Sequence, residues 1–127
     1  MLLIYLALGG VIGTLLRYGV GGWVHSWAGT ALPWGTLVIN VVGSLVLGFT
    51  MRASQSLLIS PELRAFITIG VCGAFTTFST YTYETVALMQ KGEWLRAALY
   101  ALGSLLVGLL AVIAGFAAAA RILRAGG

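Results

Sequence analysis

The chain has 127 residues, of which 60% are hydrophobic and only 8% charged, with a formal net charge of +4. Ten charged side chains are too few to cover a soluble domain of this size. No basic patch interleaved with aromatics stands out, which argues against nucleic acid as a partner. What is left is an integral membrane protein with a single domain.

A membrane-spanning helix needs roughly 20 mostly apolar residues, and four segments meet that requirement. The first, within MLLIYLALGGVIGTLLRYG, has no basic region ahead of its apolar core and reads as a span rather than a cleaved signal peptide. It covers about residues 2–24 and is interrupted only by Arg17. The second starts around Pro33, a residue suited to a first helical turn, and runs to about Met51. The third opens on SPELR, where Ser60 can cap, Pro61 can start the helix and Glu62 complements its dipole. It covers about residues 62–88, and the fourth about 94–120. The expected fold is therefore an all-α membrane domain over residues 1–127, with short connections and both termini on one side.

Trp23, Trp27, Trp34 and Trp94 fall near the predicted span ends, where their rings suit the headgroup level. Gly9 and Gly13 in the first span, with Ser104, Gly108, Ala111 and Gly115 in the fourth, allow close backbone approach between helices. Tight packing of four helices leaves little room for a pore, so oligomerisation is expected. Arg52, Arg64, Arg121 and Arg124 lie on the side of the termini. Lys91 and Arg96 lie opposite, joined by Arg17 if it snorkels, and this difference is too small to fix one orientation. Cys72, the single cysteine, reads as a packing residue, and His25 beside Trp27 as an interfacial one.

Polar groups at membrane depth are costly and mark functional candidates. Arg17, Asn40 and the run GAFTTFSTYTYE, Gly73 to Glu84, qualify. Asn40 can either bond another helix or present an NH₂ donor to a ligand. In the run, Phe75, Phe78, Tyr81 and Glu84 recur every third residue, which on a helix keeps them along one slowly drifting side. Thr76, Thr77, Ser79, Thr80 and Thr82 fill the gaps; they are poor helix formers, and Gly73 weakens the helix further. A break near 73–79 is expected. Carbonyls freed there suit a hard cation, while hydroxyls, amide N–H groups and aromatic ring edges suit an anion.

These residues resemble the Fluc (CrcB) family of fluoride channels over essentially the whole chain. The segments that carry the resemblance are GGVIGTLLRY, PWGTLVINVVGS and GVCGAFTTFSTYTYE, in that order. The resemblance implies a homodimer of antiparallel four-helix subunits (dual topology), each with its third helix broken near the middle. It implies passive, fluoride-selective conduction that exports F⁻ across the cell (inner) membrane and lowers its toxicity. It also implies a structural Na⁺, not transported, held by the carbonyls of Gly73 and Thr76. Asn40, Phe78, Tyr81, Ser79, Thr82, Tyr100 and Ser104 would then line the fluoride pore, with Thr36, Glu84 and Arg17 along a polar track or entrance. Two positions depart from the family pattern: Tyr81 stands where a second phenylalanine is usual, and Gly108 where a small polar residue is expected.

The alternative is a proton-coupled exporter of the small multidrug-resistance type. Such a protein needs a mid-membrane carboxylate, commonly in its first span, where this chain has only Arg17. An enzyme is not expected, since no nucleophile and base are paired.

Overall fold

The computed structural model describes residues 1–126 and is all helical, with no strand among the described residues. Four helical stretches are long and apolar enough to cross a membrane: Leu2–Ala28, Trp34–Ser56, Pro61–Gln90 and Trp94–Ala125. The first two are α1 and α2. The third is composite, and begins with a short helix α3 over Pro61–Ala65. A π-helical stretch over Phe66–Cys72 follows, then a single turn α4 over Gly73–Phe75, and finally α5 over Phe78–Gln90. The fourth stretch is one continuous helix, α6.

Local chemistry sets the helix ends. Ser60 Oγ accepts a hydrogen bond from Leu63 N at 3.2 Å, with Pro61 in the first turn and Glu62 behind it. Pro33 immediately precedes α2. Gly29 and Gly92, in the two connections on the far side from the termini, take positive φ of 77° and 74°, where a side chain would be strained.

Small residues bring the backbones together. A Cβ on Gly9 would lie 2.6 Å from Phe66 O and 2.9 Å from Gly70 Cα, and one on Gly13 would strike Val71 O. The α1 pair expected to mediate close packing therefore seats directly on the π-helical stretch. On α6, a Cβ on Gly115 would meet Leu45 O and Phe49 N of α2, and one on Gly48 would meet Val112 O. Hence α2 and α6 lie backbone to backbone, as helices without a hydrophobic drive between them must in order to gain contact. Aliphatic side chains such as Leu15, Leu99, Leu105 and Ile113 face outward. That surface belongs to a multi-pass membrane protein.

Candidate functional site

The third span breaks at two residues. Thr76 (φ −81°, ψ 158°) and Thr77 (φ −149°, ψ 113°) are extended between the turn at Gly73–Phe75 and α5. Thr77 is buried and carries much of the local bonding. Its N–H donates to Asn40 Oδ1 at 2.7 Å, and Asn40 Nδ2 donates back to Thr77 O at 3.1 Å. One carboxamide thus satisfies both backbone groups of an extended residue that would otherwise be orphaned within the bundle. Thr77 Oγ1 also accepts from Thr80 N at 3.2 Å and so caps α5.

This arrangement releases groups of both polarities. In a continuous helix Thr77 N would close onto Gly73 O; here it is held by Asn40. Thr76 O receives only a long contact, 3.5 Å, from Arg17 Nη1. On the other side, a helix that starts at Phe78 presents first-turn N–H groups with no intrahelical acceptor, together with the positive end of its dipole. Free carbonyls and free N–H groups stand within a few residues of each other.

The break borders a cavity of about 610 Å³ between α2, the third span and α6. Asn40, Gly73, Thr76, Phe78, Tyr81 and Ser104 all line it. A smaller cavity of about 320 Å³ is lined by Arg17, His25, Thr36 and Glu84. Glu84 joins three helices: Thr36 Oγ1 donates to its Oε1 at 2.9 Å and the Tyr100 hydroxyl to its Oε2 at 2.7 Å. Tyr81 sits between Phe78 and Tyr100, with ring centroids 5.8 and 5.6 Å away, and its hydroxyl donates to Ala101 O at 2.8 Å. Ser79 and Thr82 line neither cavity; the Thr82 hydroxyl bonds back to Ser79 O at 3.0 Å.

The three-residue spacing of Phe75, Phe78, Tyr81 and Glu84 does not produce one side. Phe75 lies before the break and is buried, whereas Phe78 lies after it and is 77% exposed. Two extended residues between them reset the helical phase. Thr77 and Ser44 also line the larger cavity; the sequence pattern names Thr77 only as one of several poor helix formers and does not name Ser44. A Ser or Thr placed ahead of a resumed apolar period is a capping signal, and it would have marked Thr77.

Taken together, this is a multi-pass membrane protein with an interrupted helix whose polar break faces a cavity. The sequence pattern of the family described as "CrcB-like protein, Camphor Resistance (CrcB)" matches residues 4–116. The chain is 51% identical over 110 residues to a "Fluoride-specific ion channel FluC" of Thermus thermophilus, covering 87% of each chain. It is 43% identical over 120 residues to one of Geotalea daltonii, covering 94% of this chain and 97% of the relative. One of Chloroflexus aurantiacus is 45% identical over 111 residues, covering 87% and 88%. The chain belongs to the CrcB-like family, whose members named here are ion channels and not enzymes.

Proposed function

We propose that the protein is a passive, fluoride-selective channel that lets F⁻ leave the cytoplasm down its gradient and so limits fluoride toxicity. The observation that carries this reading is the Thr76–Thr77 break, held open by Asn40 beside a cavity of about 610 Å³. The names of its relatives supply the ion. A channel must replace enough of an ion's hydration for entry while binding it weakly enough for exit. Neutral hydroxyls, the second N–H of Asn40 and the ring edges of Phe78 and Tyr81 meet that demand for a small anion. Arg17 and the amino end of α5 add positive potential nearby. The small multidrug exporter reading is not favoured, because Glu84, the one carboxylate at either cavity, is tied by two hydroxyls on neighbouring helices.

The functional unit in this reading is an antiparallel homodimer in the cell (inner) membrane, with a central Na⁺ that is not transported. The carbonyls of Gly73 and Thr76 fit a hard cation, since neither is committed to a helical N–H. They supply two ligands per chain and four from two chains. If bound, the cation would supply a fixed positive charge to offset the dipoles of those carbonyls. Asn40 holds the break from the other side, at Thr77.

Fluoride release from liposomes holding the purified protein tests the reading. Valinomycin sets the K⁺ potential, an ion-selective electrode follows the ion, and chloride serves as control. Rapid valinomycin-dependent fluoride release with chloride retained is expected. Asn40→Asp is expected to slow release by about tenfold or more, because a carboxylate cannot donate to Thr77 O and adds a negative charge to an anion path. Fluoride retained by vesicles containing well-folded wild-type protein would sink the proposal.

A further inference from the structure

Two hydroxyls in the larger cavity have no hydrogen-bond partner among the described residues. Ser104 Oγ, on α6, is buried and has no hydrogen-bond partner among the described residues. Ser44, on α2, lines the same cavity. Its hydroxyl makes no hydrogen bond among the described residues, not even the bond to the carbonyl four residues back that Ser54 makes on the same helix at 2.7 Å.

Their positions are ordered. Asn40 and Ser44 are one helical turn apart on α2, and Ser104 and Gly108 one turn apart on α6. All four line the cavity, and a Cβ built on Gly108 would meet only the Ser44 hydroxyl, at 3.9 Å. Ser44 Oγ therefore lies across from the bare backbone of Gly108, one turn along the cavity from Ser104. Beyond that level α2 and α6 contribute only the apolar Leu47, Leu109 and Val112 to the lining, and the Thr68 hydroxyl of the third span donates to Arg64 O at 2.9 Å. A small anion that has lost water needs a donor there, and α6 offers no side chain to provide one.

We infer that Ser44 is a further fluoride-contact residue, whose hydroxyl from α2 serves the level of the cavity at which Gly108 leaves α6 without a polar group. This inference rests on the channel reading above. The competing view is that Ser44 is merely small, allowing α2 to approach α6 while water bonds its hydroxyl.

Moving the hydroxyl across the cavity separates the two views. Fluoride release is measured for the wild type, Ser44→Ala, Ser44→Thr and the double variant Ser44→Ala with Gly108→Ser, each as monodisperse protein in liposomes. Ser44→Ala is expected to release fluoride about tenfold more slowly, the scale of one lost bond to an ion. Ser44→Thr keeps the hydroxyl and is expected to stay within about threefold of wild type on the same scale. The double variant, with a donor restored from the facing helix, is expected to recover most of the wild-type rate. A packing role predicts no such recovery. Ser44→Ala at the wild-type rate overturns the inference, as does a slow Ser44→Ala that Gly108→Ser leaves slow. If Ser44→Ala does not fold, Ser44→Cys keeps the volume with only a weak donor and is read the same way. A silent wild type would instead end the channel reading itself, which is a different result from a fast wild type with an indifferent Ser44.

Discussion

Tyr81 presents the sharpest question at the scale of single residues, because its hydroxyl stands where the family resemblance leads one to expect a plain phenyl ring. The hydroxyl proton is committed to Ala101 O at 2.8 Å, on α6. A donor already bonded to a carbonyl is not available to an anion, so on the proposed path Tyr81 would offer its ring edge alone. Tyr81→Phe is therefore expected to leave fluoride release within about twofold of wild type while lowering stability by about 0.5–1.5 kcal/mol, the worth of one internal hydrogen bond. A thermal or denaturant melt read beside the release assay checks both halves. A large change in rate would return the hydroxyl to the path. The identity of residue 81 is plain in the sequence, but the partner of its hydroxyl is a backbone carbonyl on another helix. Backbone groups carry no residue-type signal. The same reason hid the two backbone bonds of Thr77 to Asn40, though its side-chain cap of α5 is a readable signal, while Asn40 was legible at once as an amide in an apolar run.

At the scale of elements, the third span combines three backbone forms in one crossing. Gly73 and five Ser/Thr residues in a seven-residue window mark the break in the sequence. The π-helical stretch at Phe66–Cys72 leaves no such mark, for FITIGVC is apolar whatever helix it forms. Close approach of Gly9 and Gly13 to this stretch is a tertiary fact, legible only as a tendency of small residues to pack. The break itself carries a prediction. Asn40 diverts Thr77 N from Gly73 O, one of the two carbonyls proposed above to hold a cation. Reconstitution and dialysis without Na⁺, with Li⁺ or a large organic cation in its place, is expected to suppress fluoride release by about tenfold or more, because several carbonyl dipoles facing one another without a cation are not held in place. Restoring Na⁺ should restore release. Transport unchanged in Na⁺-free vesicles would remove the cation from Gly73 and Thr76.

As a single chain the molecule leaves the groove beside its polar break uncovered. Phe78 is 77% exposed, and the extended Thr76–Thr77 backbone borders the open cavity. Non-helical backbone at membrane depth is tolerated only where protein buries it or water fills the space beside it, so lipid against this face would be costly. In the proposed dimer, a second copy placed by a two-fold axis would cover the groove with the groove's own surface. Whether that axis lies in the membrane plane, which makes the copies antiparallel, depends on insertion, and here the charges are nearly balanced. Four arginines lie toward the termini against Lys91 and Arg96 opposite, or against three positive charges if Arg17 is counted with them. Added charge turns that near balance into a test. Lysines inserted between α5 and α6 should hold every chain one way, and lysines added after α6 should hold it the other. Each biased chain alone is expected to lose fluoride release, and the two produced together should regain it, because only the mixture contains antiparallel pairs. A reporter fused after α6 in the unbiased chain should meanwhile appear on both faces of the membrane. If either biased chain, verified by that reporter to insert one way, conducts fully on its own, the two copies are parallel and the antiparallel dimer is wrong.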